Sequence, residues 1–114
     1  MLASGGDLNG KRLLHRETVQ AMTKNQLPDK AFPIAFGPNQ RPGVGFGLGF
    51  SVRVSRDPLS ASRIGEYGWG GAASTHFWIS PKDELVVIAL QQFMPFSTHL
   101  DQTIRPLVYE SISD

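Results

Sequence analysis

The chain has 114 residues, of which 40% are apolar, and a formal net charge of +1. A chain of this length forms one domain at most, and its apolar content excludes a disordered protein. The near-balanced charge gives no reason to expect nucleic acid as a partner. The absence of cysteine excludes a disulfide, a thiolate zinc site and a cysteine nucleophile.

The sequence predicts no membrane span, no metal site and no cofactor. Its longest apolar run, residues 85–90, is far shorter than a membrane-spanning helix requires. The three histidines, His15, His76 and His99, lie far apart on different predicted elements, which does not suit a metal site. The alternate glycines around Phe46 resemble a phosphate loop only superficially, because that motif needs a strand, a glycine loop and then a helix.

The first third of the chain predicts one helix followed by a long loop. Gly5 and Gly6 end whatever precedes them, and residues 15–26 form a helix that places Val19 and Met22 on one face. Pro28 closes this helix. Residues 29–42 contain three more prolines and cannot continue as helix or central strand. This loop is either functional or a plain connection.

Residues 44–55 have the clearest alternation in the chain. Apolar residues alternate with glycine and polar residues over the whole stretch, which is typical of a strand with one buried face. The glycine face would let another element approach closely. The apolar positions are Val44, Phe46, Leu48, Phe50, Val52 and Val54.

Residues 66–96 predict the hairpin around which the chain is organised. Its first strand opens on a run of small residues, 68–74, that contains Trp69. A polar bend at residues 80–84 leads to a second strand, 85–91. This strand is apolar on both faces and needs cover on both sides, although helices in this chain can supply only one.

Residues 97–113 predict an amphipathic helix that packs on the sheet, with Pro106 kinking it or marking a restart. The predicted fold is therefore α+β: an antiparallel sheet of three sequential strands, part of a larger sheet, flanked by an N-terminal and a C-terminal helix. The apolar face of the last helix consists of Leu100, Ile104, Leu107, Val108 and Ile112.

The run Tyr-Gly-Trp-Gly-Gly-Ala-Ala-Ser-Thr at residues 67–75 resembles a known active-site motif. It is similar to the third motif of the serine β-lactamase and penicillin-binding-protein superfamily, where Lys-Thr-Gly lines the cleft. The Trp-Gly-Gly form is similar to the esterase-like branch, the bacterial carboxylesterases related to class C β-lactamases and their transesterase relatives. Residues 2–22, 46–50 and 77–81 resemble the flanking elements. The resemblance implies that residues 1–114 are a single partial domain, the C-terminal segment of a β-lactamase-like domain.

The resemblance also implies roles for residues of the motif. The backbone N–H of Ala72 corresponds to an oxyanion donor, and its partner donor is the N–H of a nucleophile that this chain lacks. Trp69, Gly70, Gly71 and Ala73 correspond to the substrate-binding wall. Trp69 stands where the superfamily has lysine, which removes a cation that binds carboxylates and favours neutral esters over β-lactams. The alternative is that Trp69 is only a core or rim aromatic.

The sequence departs from the superfamily at its other motifs. It contains no Ser-x-x-Lys. Its one Tyr-x-Ser string, beginning at Tyr109, lies on the terminal helix and is given no catalytic role. Without nucleophile and base the chain cannot form an acyl-enzyme, so catalysis on a small ester or amide would belong to a parent hydrolase with the missing N-terminal lobe.

The rival hypothesis is a non-catalytic interaction or assembly module that uses the same sheet. A sheet face left uncovered would favour a homo-oligomer or the exchange of strands between copies. Bacterial cytoplasm and periplasm are both compatible with the sequence.

Overall fold

A computed structural model describes residues 1–36 and 38–113, so residue 37 of the predicted long loop and residue 114 lie outside it. The fold is α+β with an antiparallel sheet, as predicted. Five strands form this sheet in sequential order: β5 (Val44–Phe46), β6 (Ser51–Arg53), β7 (Tyr67–Gly70), β8 (His76–Ser80) and β9 (Leu85–Ala89).

Smaller elements surround the sheet. Two short hairpins pair β1 (Asp7–Leu8) with β2 (Lys11–Arg12), and β3 (Ala35–Phe36) with β4 (Asn39–Gln40). The helices are α1 (Arg16–Met22) and α2 (His99–Ser111), and 3-10 turns occupy Leu2–Ser4, Asp29–Ala31 and Pro81–Asp83. No helix in the described ranges is long and apolar enough to cross a membrane.

The sheet has five strands rather than three because two predicted strands are each divided by a turn. Within residues 44–55, Gly49 has a φ of 99°, which an extended strand cannot accommodate, and Leu48 at this bend is 54% exposed. The prediction of one strand with a fully buried apolar face is therefore wrong. In the central hairpin, the N–H of Gly71 bonds the carbonyl of Thr75 at 2.8 Å and closes a turn between β7 and β8.

The glycines of β5 allow the chain that follows α1 to pack against it, as predicted. A Cβ on Gly45 would lie 2.2 Å from Oδ1 of Asn25. The helix α1 ends at Met22, before the predicted end at residue 26. The segment after it lies along β5, where the N–H of Gln26 donates to the carbonyl of Phe46 at 2.8 Å. The helix α2 matches its predicted range closely and continues through Pro106, but Leu107 and Ile112 of its predicted apolar face are 59% and 44% exposed.

The two faces of the sheet differ in what covers them. The register places Trp69, Phe77 and Ile88 side by side on one face, because residues directly opposite each other share a face. Trp78 points to the other face, where the guanidinium of Arg105 in α2 lies 4.0 Å from its ring centroid. Trp69 is therefore on the face opposite to α2. That face is largely open at β9, where Ile88 is 65% exposed.

Candidate functional site

The backbone of β7 has a free edge at its C-terminal end. The strand β6 pairs with β7 only at Tyr67 and Gly68, whereas β8 pairs with all four residues of β7. At Trp69 and Gly70 the side of the strand away from β8 has no strand neighbour among the described residues. A cleft of about 1040 Å³ borders this edge. A strand with such an edge can bind a substrate through its main chain.

The structure brings four of the five predicted site residues to the wall of this cleft. Trp69, Gly70, Gly71 and Ala72 line it. Ala73 does not, and its carbonyl accepts a hydrogen bond from the N–H of Phe93 at 3.0 Å on the other side of the turn. The wall therefore consists of the end of β7 and the first half of the turn.

Ala72 is exposed, and its backbone N–H has no hydrogen-bond partner in residues 1–36 and 38–113. The neighbouring amides of the turn are engaged: Gly71 donates to Thr75, and Ser74 donates to the carbonyl of Gly71 at 2.9 Å. Among residues 71–74 of the described chain, the amides of Ala72 and Ala73 have no hydrogen-bond partner, and of these two residues only Ala72 lines the cleft, so its N–H is the one placed to bind a carbonyl oxygen.

Trp69 forms an aromatic rim beside the free edge. Its side chain is 36% exposed, and its ring packs against Phe36 at 5.7 Å and edge-on against Phe46 at 5.1 Å. Such pairs contribute about 0.5–1.5 kcal/mol each beyond their buried area. A position in the core does not fit this exposure. Sequence analysis missed Phe36, because nothing local predicts that an aromatic residue in a proline-rich loop contacts a residue 33 positions later.

The small residues of the wall also have a packing reason. A Cβ on Gly70 would lie 3.1 Å from Nδ1 of His76 and 3.2 Å from the ring of Phe96. A Cβ on Gly71 would lie 2.5 Å from Oγ1 of Thr75. Larger side chains would displace these neighbours and fill the space through which a substrate reaches the main chain.

The sequence matches two curated relatives. Protein Rv1367c of Mycobacterium tuberculosis strain H37Rv is 32% identical over 100 residues, which are 83% of this chain. The uncharacterized protein MT1414 of strain CDC 1551 matches with the same figures. The chain spans only 25% of the length of each relative. No protein-family model matches it.

Solved structures share the fold over most of the chain. EstCE1, described as a hydrolase with promiscuous acyltransferase activity, has a TM-score of 0.73 and 25% identity; the match covers 95% of this chain and 26% of EstCE1. The chain has the fold of the serine β-lactamase and penicillin-binding-protein superfamily. Simvastatin synthase (LovD) from Aspergillus terreus shares this fold with a TM-score of 0.73 and 21% identity, over 99% of this chain and 32% of LovD.

In this member of the superfamily fold, a buried carboxylate connects the start of the cleft wall to α2. Glu66 precedes β7 and is 4% exposed. Its carboxylate accepts hydrogen bonds from the N–H of Arg63 at 2.5 Å, from Arg105 at 2.5 Å and from the hydroxyl of Tyr109. Arg105 also donates to Asp101 at 2.6 Å. Sequence analysis missed this network because Glu66 and Tyr109 are 43 positions apart and no local pattern pairs them.

Burial shifts the ionisation of both acidic members of this network. It raises the pKa of Glu66, although the hydrogen bonds from Tyr109 and Arg63 and the charge of Arg105 oppose the shift. Burial, together with the adjacent Glu66 carboxylate, raises the pKa of Tyr109 to about 12. The phenol of Tyr109 is therefore protonated at neutral pH and donates to the carboxylate of Glu66.

Replacing Glu66 with glutamine should lower the free energy of unfolding by about 1–3 kcal/mol, because the half-buried guanidinium of Arg105 then keeps only Asp101 as a charged partner. Urea unfolding followed by tryptophan fluorescence measures the change. The control is Glu110→Gln on the exposed side of α2, which should change stability by less than about 0.5 kcal/mol. Equal effects of the two substitutions would contradict the structural role of Glu66.

Stability should fall as the pH rises from about 10 to about 12. In this window the native state keeps a proton on Tyr109 that the unfolded state loses, so the contribution is full below the unfolded pKa and lost through the folded one. The loss amounts to at most about 3 kcal/mol. Urea unfolding at several alkaline pH values should give a flatter profile for Tyr109→Phe than for the wild type.

Tyr67 is the control for this pH dependence, because burial raises the pKa of its phenol as well, while no carboxylate accepts from it. Tyr67→Phe should keep the part of the pH dependence of stability that comes from the pairing of Tyr109 with Glu66. A profile that is unchanged in Tyr109→Phe would show that the phenol does not titrate in this window.

Proposed function

We propose that this chain forms the cleft wall of a serine hydrolase of the esterase-like branch related to class C β-lactamases. The observation that carries the proposal is the free backbone edge from Trp69 to Ala72, with an exposed amide that has no partner in the described chain. When a nucleophile attacks an ester or amide carbonyl, negative charge develops on the carbonyl oxygen. A fixed N–H directed at that oxygen stabilises the transition state.

The reaction needs groups from a second lobe, which the 114 residues do not supply. A serine of that lobe would attack the carbonyl carbon, form a new C–O bond and expel the alcohol or amine of the substrate. Water or a second alcohol would then cleave the acyl-enzyme. The description of EstCE1 as a hydrolase with acyltransferase activity supports this scheme, because the same acyl-enzyme can transfer its acyl group to either acceptor.

The surroundings of Trp69 favour neutral substrates. Its ring, with Phe36 and Phe46 against it, presents an apolar surface at the position where a Lys-Thr-Gly motif would place a cation. Two of the three rings are substantially exposed, Trp69 at 36% and Phe36 at 51%. An apolar acyl or alcohol group gains by burying this surface, whereas a carboxylate there would have to reach an arginine elsewhere in the cleft lining, at Arg41, Arg53 or Arg105.

A second candidate, the non-catalytic assembly module, rests on β9. This strand pairs with β8 alone, and Val86 and Ile88 on its open face are 47% and 65% exposed. An edge strand with exposed apolar residues favours pairing between copies of the chain.

The isolated chain should not hydrolyse p-nitrophenyl butyrate, because an oxyanion donor without nucleophile and base gives negligible turnover. A spectrophotometric assay of p-nitrophenol release at micromolar protein tests this. Turnover that disappears on replacement of any one serine of the chain would overturn the proposal.

The mass of the same sample, measured by light scattering, distinguishes the candidates, since a defined dimer that needs Ile88 would favour the assembly module.

The chain should support ester hydrolysis when it replaces the matching quarter of EstCE1 in a chimera. In this chimera, Trp69→Lys should lower the rate constant kcat/KM for p-nitrophenyl butyrate by about 10-fold or more and raise that for a carboxylated β-lactam, because it replaces apolar surface with a cation. Leu13→Lys, at a position that is 56% exposed and outside the cleft lining, is the control for adding a charge. Unchanged ester and lactam rates in Trp69→Lys would remove the proposed role of the ring.

A further inference from the structure

We propose that Ser74 is a positioning residue for the amide of Ala72. Ser74 does not line the cleft, and nothing in the motif resemblance gives it a role. The proposal that this positioning serves catalysis rests on the proposed function, but the positioning itself is a property of this chain.

Ser74 holds two separate parts of the chain together through its side chain. It is completely buried, with 0% of its surface exposed. Its hydroxyl donates to the carbonyl of Phe93 at 2.8 Å and accepts from the N–H of Ser97 at 2.9 Å. Both capacities of the hydroxyl are therefore used, and both partners belong to the segment after β9.

The main chain around Ser74 is fastened to the same segment. The side-chain amide of Gln91 donates to the carbonyl of Ser74 at 2.5 Å, and the N–H of Phe93 donates to the carbonyl of Ala73 at 3.0 Å. Four hydrogen bonds thus connect residues 73–74 to residues 91–97. Ala73 is thus attached to this segment through its carbonyl, and Ser74 through its carbonyl and its hydroxyl.

This attachment determines where the amide of Ala72 points. Ala72 makes no hydrogen bond of its own through its N–H, so its peptide plane is oriented by the residues on either side. An oxyanion donor must keep its direction to be effective, because its benefit comes from being in place before charge develops. The carbonyl of Gly71, which shares a peptide plane with the N–H of Ala72, accepts from the N–H of Ser74 at 2.9 Å, so an anchored Ser74 holds that plane in place.

The backbone of Ser74 supports the same inference. Its φ of 64° lies in the left-handed region, which costs a non-glycine residue about 1–2 kcal/mol. Glycine would adopt this conformation without that cost but could not bond Phe93 and Ser97. A serine at this position keeps the hydroxyl at the expense of backbone strain, and such strain persists only where the surroundings hold it.

Ser80 supplies a matched control. It is a second buried serine, 1% exposed, whose hydroxyl donates to Asp83 at 2.5 Å in the bend between β8 and β9. Ser80→Ala removes a buried hydroxyl bond as Ser74→Ala does, but it does so away from the turn that carries Ala72.

The test is amide exchange and NMR spectra of the whole chain labelled with ¹⁵N. In Ser74→Ala, the exchange protection of the Gly71 and Phe93 amides should fall by about 10-fold, the equivalent of one or two lost hydrogen bonds, and the Ala72 signal should shift or broaden. Ser80→Ala should leave these three amides as in the wild type. Unchanged Gly71, Ala72 and Phe93 amides in Ser74→Ala would overturn the proposal.

Gln91→Met keeps the proposal testable if Ser74→Ala does not fold. It removes only the bond to the carbonyl of Ser74 from a half-buried side chain, so the same amides should change in the same direction by about 3-fold. If Gln91→Met folds and leaves the three amides unchanged, Ser74 is not held by this segment as proposed.

Kinetics of the EstCE1 chimera separate the two proposals. Ser74→Ala should lower kcat by about 10-fold or more with little change in KM, because a misdirected donor weakens binding of the transition state rather than of the substrate. Ser80→Ala should leave kcat of the chimera unchanged. An inactive, folded wild-type chimera would refute the proposed function, while the amide measurements on the chain would still decide the role of Ser74.

Discussion

The candidate site depends on the end of strand pairing at Gly68. Up to that residue, β7 lies between two neighbours; beyond it, only β8 is paired with the strand. A fully paired β7 would commit its main-chain groups to the sheet and leave no edge for a substrate. Because the pairing stops, Trp69 and the residues after it form a wall, and the turn that begins at Gly71 carries the free amide at its outer end.

The wall is held at both of its ends by contacts from the C-terminal part of the chain. At its start, the carboxylate of Glu66 accepts hydrogen bonds from Arg105 and Tyr109 of α2. At its other end, Gln91, Phe93 and Ser97 donate hydrogen bonds to Ala73 and Ser74 of the turn. The open segment thus lies between two anchored points, although its cleft side has few contacts. Rigid supports of this kind let exposed main-chain groups keep a defined direction.

The sequence predicted those features that local patterns encode. Alternation and helical spacing predicted the α+β class, the bend between β8 and β9 and the helix α2, because each depends on residues close together in the chain. The division of residues 44–55 was not predictable in this way. Alternation of side chains is the same whether or not Gly49 adopts a φ of 99°.

The site could be predicted in part for a similar reason. The motif resemblance predicted a contiguous wall from Trp69 to Ala73, of which Trp69 to Ala72 line the cleft. It could not predict Phe36, Glu66 or Ser74, whose partners lie between 17 and 43 positions away. Which residues meet across such separations is decided by packing of the whole domain, and one sequence holds no local signal for it.

The two tryptophans of the chain differ sharply in their surroundings. Trp78 is 2% exposed under the guanidinium of Arg105, whereas Trp69 is 36% exposed at the cleft. A soluble quencher such as acrylamide or iodide therefore reaches the indole of Trp69 and leaves that of Trp78 shielded. The protein thus contains its own optical probe: a molecule that covers Trp69 in the cleft would protect that indole from quenching, without an added label.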